Sequence, residues 1–187
     1  GEDWAPYADL AGVALPVRIS TGEKKAAIAF DEDLLFTHRG LSGPAILQIS
    51  SYWQPGQPLT IDLLPHLDIA AALQEAKASS KKQLPNLLAQ WLPTRLAEAW
   101  CQHTPAWQGP VNQCSDKALA QLAHSLSHWQ ITPSGTEGYA KAEVTLGGVD
   151  TQALAQQSMQ AKQQPGLFFI GEVVDITGWL GGYNFQW

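Results

Sequence analysis

The hydrophobic period changes twice along this chain, and that change limits the folds open to it. Val13, Leu15, Val17 and Ile19 alternate with Ala14, Pro16 and Arg18, the period of two that marks a half-buried strand. Pro16 lacks an N–H, so this strand is expected at an edge or a bulge. Ala26, Ile28 and Phe30 alternate again. Asp31-Glu32-Asp33 reads as a turn, and Leu34-Leu35-Phe36 as a third strand. Ser42-Gly43-Pro44 opens a helix, with Ser42 as N-cap, Pro44 in the first turn, and Ala45, Ile46, Ile49 and Tyr52 or Trp53 on its apolar face. Leu59, Ile61 and Leu63 form another strand.

From about residue 66 the period becomes helical. Asp68 is placed to cap a helix running to about Ala78. Leu84, Leu87, Leu88 and Trp91 follow i, i+3, i+4, i+7 spacing. Pro93 restarts the chain into a helix with Leu96, Ala97 and Trp100, and Ser115 or Asp116 caps one with Leu119, Leu122, Ala123 and Leu126. Strands return at Trp129–Thr132 and Tyr139–Leu146, and Leu167-Phe168-Phe169-Ile170 reads as a strand buried on both faces. The charge follows the same divisions. Residues 1–65 hold 4 basic and 8 acidic groups, residues 66–128 hold 5 and 4, and residues 129–187 hold 2 and 5. The middle third therefore reads as an inserted helical subdomain.

Composition excludes several classes. With 45% apolar and 15% charged residues, the chain can bury a core. A net charge of −6 with no basic block argues against nucleic acid and anionic membranes as partners. No apolar run reaches the roughly 18–20 residues of a membrane helix. Two cysteines make no disulfide framework, which points to the cytoplasm. The chain begins at Gly1 without Met and stops at Trp187 just after a glycine turn, so it reads as a fragment of a longer protein.

Four clusters bear chemistry. Cys101, Cys114, His124 and His128 are zinc-ligand types, but the cysteines are 13 residues apart and no Glu adjoins His124. The expectation is no metal, with core-facing thiols and surface histidines. Gly40-Leu41-Ser42-Gly43-Pro44 approaches a serine-nucleophile turn but carries Pro in its fifth position. Thr37-His38-Arg39-Gly40 is a dense polar cluster directly after an apolar strand, beside a helix start that would suit an anion. Finally, the Leu167–Ile170 strand runs into Gly171-Glu172-Val173-Val174-Asp175, then Gly178 and Gly181-Gly182-Tyr183-Asn184. Glycine there admits a cofactor close to the backbone, and a carboxylate after a strand accepts hydrogen bonds from sugar hydroxyls.

Phe168 to Asp175, with Gly178 and Gly181 to Gln186, resembles the C-terminal FAD-binding signature of the YhiN/BaiN-like NAD(P)/FAD-dependent oxidoreductases, bacterial flavoproteins that include aminoacetone oxidase. Leu35 to Ala45 resembles that family's internal motif, and Gly147-Gly148-Val149 with Ser158 to Lys162 resembles its return from an inserted region. The resemblance implies an α+β fold. A β-rich, barrel-like insertion domain (residues 1–65 and 129–150) would carry a helical subdomain (66–128), followed by the last strand and loop of a split Rossmann-type FAD domain (151–187). The family's Gly-x-Gly-x-x-Gly pyrophosphate turn is missing from this chain.

The parent would then be an FAD-dependent oxidoreductase, with NAD(P)H as a candidate electron donor and a small-molecule substrate, and its missing N-terminal FAD domain would be this chain's partner. The isolated chain would be inactive. Carried over by position, Gly171 and Glu172 would lie along the ribityl and phosphate part of FAD. Gly181, Gly182, Tyr183 and Asn184 would approach the isoalloxazine, and Asp175 would order the loop. His38 and Arg39 are the candidate catalytic groups on the substrate side. The competing class is a non-enzymatic binding or interaction module, with some of the eight tryptophans lining a partner surface.

Overall fold

The computed structural model describes residues 2–135. They belong, but for the last, to a compact unit formed by Gly1–Ser134. The readings made above for Tyr139–Leu146, Gly147-Gly148, Leu167–Ile170 and the glycine-rich segment after it lie outside the described residues.

Among the described residues five antiparallel strands form one sheet: β1 (Ala14–Thr21), β2 (Ile28–Phe36), β3 (Leu41–Ser42), β4 (Leu59–Asp62) and β5 (Trp129–Ile131). Their order is β3-β2-β1-β4-β5. In β1, Leu15, Val17 and Ile19 are buried while Ala14, Pro16 and Arg18 face solvent, as the alternation requires. β1 is central, which corrects the expectation of an edge or bulge at Pro16. The proline is tolerated because pairing with β4 begins only at Arg18, so Pro16 has a ladder partner on one side alone, opposite Asp33.

β2 corrects a second reading. Asp31-Glu32-Asp33 is no turn: the strand runs unbroken from Ile28 to Phe36, paired with β1 throughout. Asp31 and Asp33 point to the solvated face, which accepts charge without breaking the ladder, and Asp31 lies opposite Arg18 with their charged groups 3.9 Å apart. Leu34 and Phe36 are fully buried on the other face.

Helix α1 (Pro44–Ser50) starts with Pro44 in its first turn, but its N-cap is Gly43 and not Ser42. Ser42 belongs to β3, opposite Leu35. Gly43 has φ +90°, and a Cβ there would sit 3.0 Å from the Asp33 carbonyl oxygen and 3.1 Å from the Leu35 nitrogen. The chain can leave the sheet for α1 here only because no side chain stands between the two backbones. Past the helix, Trp53 packs against the core while Tyr52 stays exposed.

Four more helices follow: α2 (Ile69–Ser79), α3 (Leu84–Leu88), α4 (Thr94–Gln102) and α5 (Asp116–Ser127). Asp68 caps α2 by accepting from the Ala71 N–H at 3.1 Å, and Ser115 caps α5 through the Ala118 N–H at 3.1 Å. α3 stops at Leu88, short of Trp91, yet Trp91 still packs against the core. Leu73, Leu84, Leu88, Leu96, Leu119 and Leu122 bury fully and share one hydrophobic core with the strand residues Ile19, Leu34 and Ile61. The Leu63 N–H donates to the Leu126 carbonyl at 2.9 Å, tying the end of the sheet to α5.

The sheet is strongly curled. Phe36 on β2 and Trp129 on β5 stack at 5.9 Å and 7°, although β1 and β4 lie between their strands. Three flat strand spacings would hold them about 14 Å apart. A 3-10 helix at Glu2–Leu10 joins this aromatic contact, with Trp4 packed on Phe36 and Tyr7 on Trp129.

Replacing Gly43 by Ala should lower the urea midpoint by the equivalent of about 2 kcal/mol or more, because left-handed strain and backbone contact add. Gly12→Ala, at φ +89° with nothing within 4 Å of a new Cβ, should cost less. Equal losses at the two sites would show that the close approach at Gly43 contributes nothing.

Candidate functional site

The polar cluster Thr37-His38-Arg39-Gly40 is the connection from β2 to β3, and Thr37 organises it. Its hydroxyl accepts from the Arg39 N–H at 3.3 Å and the Gly40 N–H at 3.1 Å, and donates to the Gly40 carbonyl at 2.9 Å. The Thr37 N–H also donates to the Gly40 carbonyl, at 2.8 Å. From outside the loop, the Trp4 indole N–H donates to the Thr37 carbonyl at 3.0 Å. One short side chain thus holds both ends of the loop, and His38 and Arg39 stand exposed at its tip.

Beside the tip is an open cleft of about 480 Å³, lined by Trp4, Ala5, Ala8, His38 and Arg39. The structure therefore brings the two candidate residues together at the end of a strand, against one side of the N-terminal 3-10 helix. The sequence reading missed Trp4, because nothing local links a residue near the start of the chain to a loop 33 positions later. It also missed Arg95, whose guanidinium donates to the carbonyls of Asp9 and Ala11 and so fixes the C-terminal end of that helix on α4. Gly171, Glu172, Gly181, Gly182, Tyr183 and Asn184 lie outside the described residues.

Ser42 is half-buried within β3, and no described contact joins its hydroxyl to His38, so no nucleophile–base pair stands here. Cys101 and Cys114 are free and buried. Burial, and secondarily the neighbouring Cys114, pushes the Cys101 thiol up to about 12; burial also raises Cys114, against the opposing effect of Lys77. A thiolate is the metal ligand and nucleophile, and both sites disfavour it. His124 and His128 are exposed, with their rings stacked 4.6 Å apart. Among the described residues no three of His, Cys, Asp and Glu gather as a metal site. The described tryptophans pack inward: Trp129 is buried, with Trp100 edge-on to it at 5.4 Å, and Trp91 and Trp107 rest on the core. No described helix is long and apolar enough to cross a membrane.

Residues 2–144 match a family described as HI0933-like protein barrel and H2TH domain. The chain is 52% identical over 179 residues to the ribosomal RNA dihydrouridine synthase of Escherichia coli, covering 95% of this chain and 44% of that protein. It is 48% identical over 179 residues to the ribosomal RNA dihydrouridine synthase of Haemophilus influenzae, with the same two coverages. The 3-dehydro-bile acid delta(4,6)-reductase of Clostridium scindens is 25% identical over 195 residues, or 97% of this chain and 47% of that protein. The chain thus spans less than half the length of these relatives.

Two outcomes test the local chemistry. Thr37→Val should speed amide exchange at Arg39 and Gly40 about tenfold or more, since each loses its acceptor; unchanged exchange would show the loop to be held by other contacts. The raised Cys101 value favours the protonated thiol in the folded state, so its stabilisation is complete below 9.0 and is lost as pH rises toward about 12. Cys101→Ala should therefore lose stability less steeply than the parent across that window in alkaline urea titrations.

Proposed function

The chain belongs to the HI0933-like family, and from that premise we propose that it is the barrel and helical part of an FAD-dependent reductase that converts a uridine of ribosomal RNA to dihydrouridine. The observation that carries this reading is the near-half identity, across 95% of the chain, to two proteins named ribosomal RNA dihydrouridine synthase. The more distant relative's name points to related chemistry. Making dihydrouridine adds two hydrogens across a carbon–carbon double bond conjugated to a carbonyl, and a delta(4,6)-reductase of a 3-dehydro steroid saturates the same kind of bond. This reading replaces the expectation, drawn from net charge alone, that nucleic acid is not a partner.

The polar loop at the end of β2 does not itself fit a dinucleotide: it is braced by Thr37, whose hydroxyl takes the Arg39 and Gly40 N–H groups, and offers no run of free N–H groups to a pyrophosphate. It suits the substrate side. FAD would supply the hydride when bound, reduced in turn by NAD(P)H, and its contacts would come from Gly171, Glu172, Gly181, Gly182, Tyr183 and Asn184 with the missing N-terminal domain. His38 and Arg39, fixed at the tip of the Thr37 loop, would face the substrate. There an imidazole can deliver a proton or polarise a carbonyl as negative charge develops on its oxygen.

Full-length protein purified without added cofactor should show a flavin spectrum that bleaches on reduction, and ribosomal RNA from cells lacking the gene should lose a dihydrouridine. His38→Ala should restore that dihydrouridine poorly while binding flavin at the parental level. A colourless protein, or unchanged RNA in the deletion strain, would overturn the reading; full restoration by His38→Ala would remove His38 from it.

A further inference from the structure

The chain has three arginines, and two of them are occupied. Arg18 faces Asp31 across β1 and β2. Arg95 donates to the carbonyls of Asp9 and Ala11. Arg39 has no ion pair or side-chain hydrogen bond among the described residues, and it is exposed. Its backbone is nonetheless fixed, since its N–H and that of Gly40 both donate to the Thr37 hydroxyl. A held backbone carrying an unmatched guanidinium presents an anion contact at a fixed place on the loop. The backbone has little freedom left to lose when the anion arrives, while the exposed side chain still gives up rotamer freedom, and the planar fork suits a phosphate.

The surroundings narrow the anion. The cleft beside Arg39 is walled by Trp4, Ala5 and Ala8, with His38 as a second polar group at its mouth, and its volume of about 480 Å³ suits a group of nucleotide size. An apolar indole wall next to a cation is the combination that grips single-stranded nucleic acid, phosphate on one side and ribose or base on the other. In a chain of net charge −6, a polyanion also needs a local cation to offset repulsion at its point of contact. We infer that Arg39 and the Trp4 wall bind a phosphodiester and the adjoining nucleotide of a single-stranded RNA segment, which holds the substrate strand at the loop tip. This inference rests on the reading that the parent acts on ribosomal RNA and assigns one contact within it.

The test is a salt titration of RNA binding by the full-length protein, followed by fluorescence anisotropy of a labelled single-stranded oligoribonucleotide. The parent's affinity should fall linearly on a log–log plot against salt. Arg39→Gln should weaken binding several-fold at low salt and flatten the slope by about 0.7, the contribution of one phosphate on a single strand. Arg39→Lys, which keeps the charge, should restore most of the slope. If Arg39→Gln binds with parental affinity and slope while the parent itself binds RNA, the Arg39 contact is wrong and the RNA reading stands. If the parent shows no salt-dependent RNA binding, the RNA reading fails and takes this contact with it. Arg39 is exposed and supports no described side-chain contact, so near-ultraviolet circular dichroism of both variants should match the parent.

Discussion

The stacking of Phe36 on Trp129 is the contact on which the rest of the architecture depends. It brings the second and fifth strands of the sheet within ring contact and therefore requires the intervening strands to curl. The concave side so formed must be filled. Trp4 and Tyr7 of the N-terminal 3-10 helix fill it from one direction and Trp100 of α4 from another. Trp100 keeps its indole N–H satisfied on the Ser125 hydroxyl at 3.0 Å, so the aromatic interior strands no polar group at that point. Because Phe36 is the last residue of β2, the same stack fixes where the Thr37 loop begins. The geometry of the candidate site is thus inherited from the core.

Much of this was legible in the sequence, and the failures share a cause. Period-two alternation located β1 and β4, and helical spacing with Asp68 and Ser115 located α2 and α5. These are local signals, and local physics decides them. Asp31-Glu32-Asp33 was misread as a turn because three consecutive acids look like a break in one dimension. In the sheet, two of them point to water and cross-strand pairing with β1 overrides their low strand preference. Ser42 was misread as a cap for a similar reason: two residues of pairing with β2 claimed it for the sheet. Of the site, the sequence showed His38 and Arg39 as a dense polar cluster at a strand end. It did not show Trp4 as the wall beside them, since that juxtaposition comes from long-range packing.

Charge taught a related lesson. A whole-chain average of −6 spoke against a polyanionic partner, yet an average says nothing of how individual cations are matched. The three arginines differ in what they touch, and only their placement reveals it. The buried thiols make the complementary point: by residue type they suggested ligands, and by environment they behave as small apolar groups held protonated by desolvation.

The sheet's outer strands have a consequence for how the protein survives its own synthesis. Among the described residues β3 and β5 form the edges, and they span two and three residues. An edge strand that short offers few unpaired backbone groups of its own to a neighbouring nascent chain. The longest strand, β2, is paired with β1 along one side, but on the other β3 pairs only Leu35 and Phe36, so residues 28–34 keep an edge outside these ladders. The three consecutive acids Asp31, Glu32 and Asp33 on that stretch are what discourage a neighbouring nascent chain from extending it.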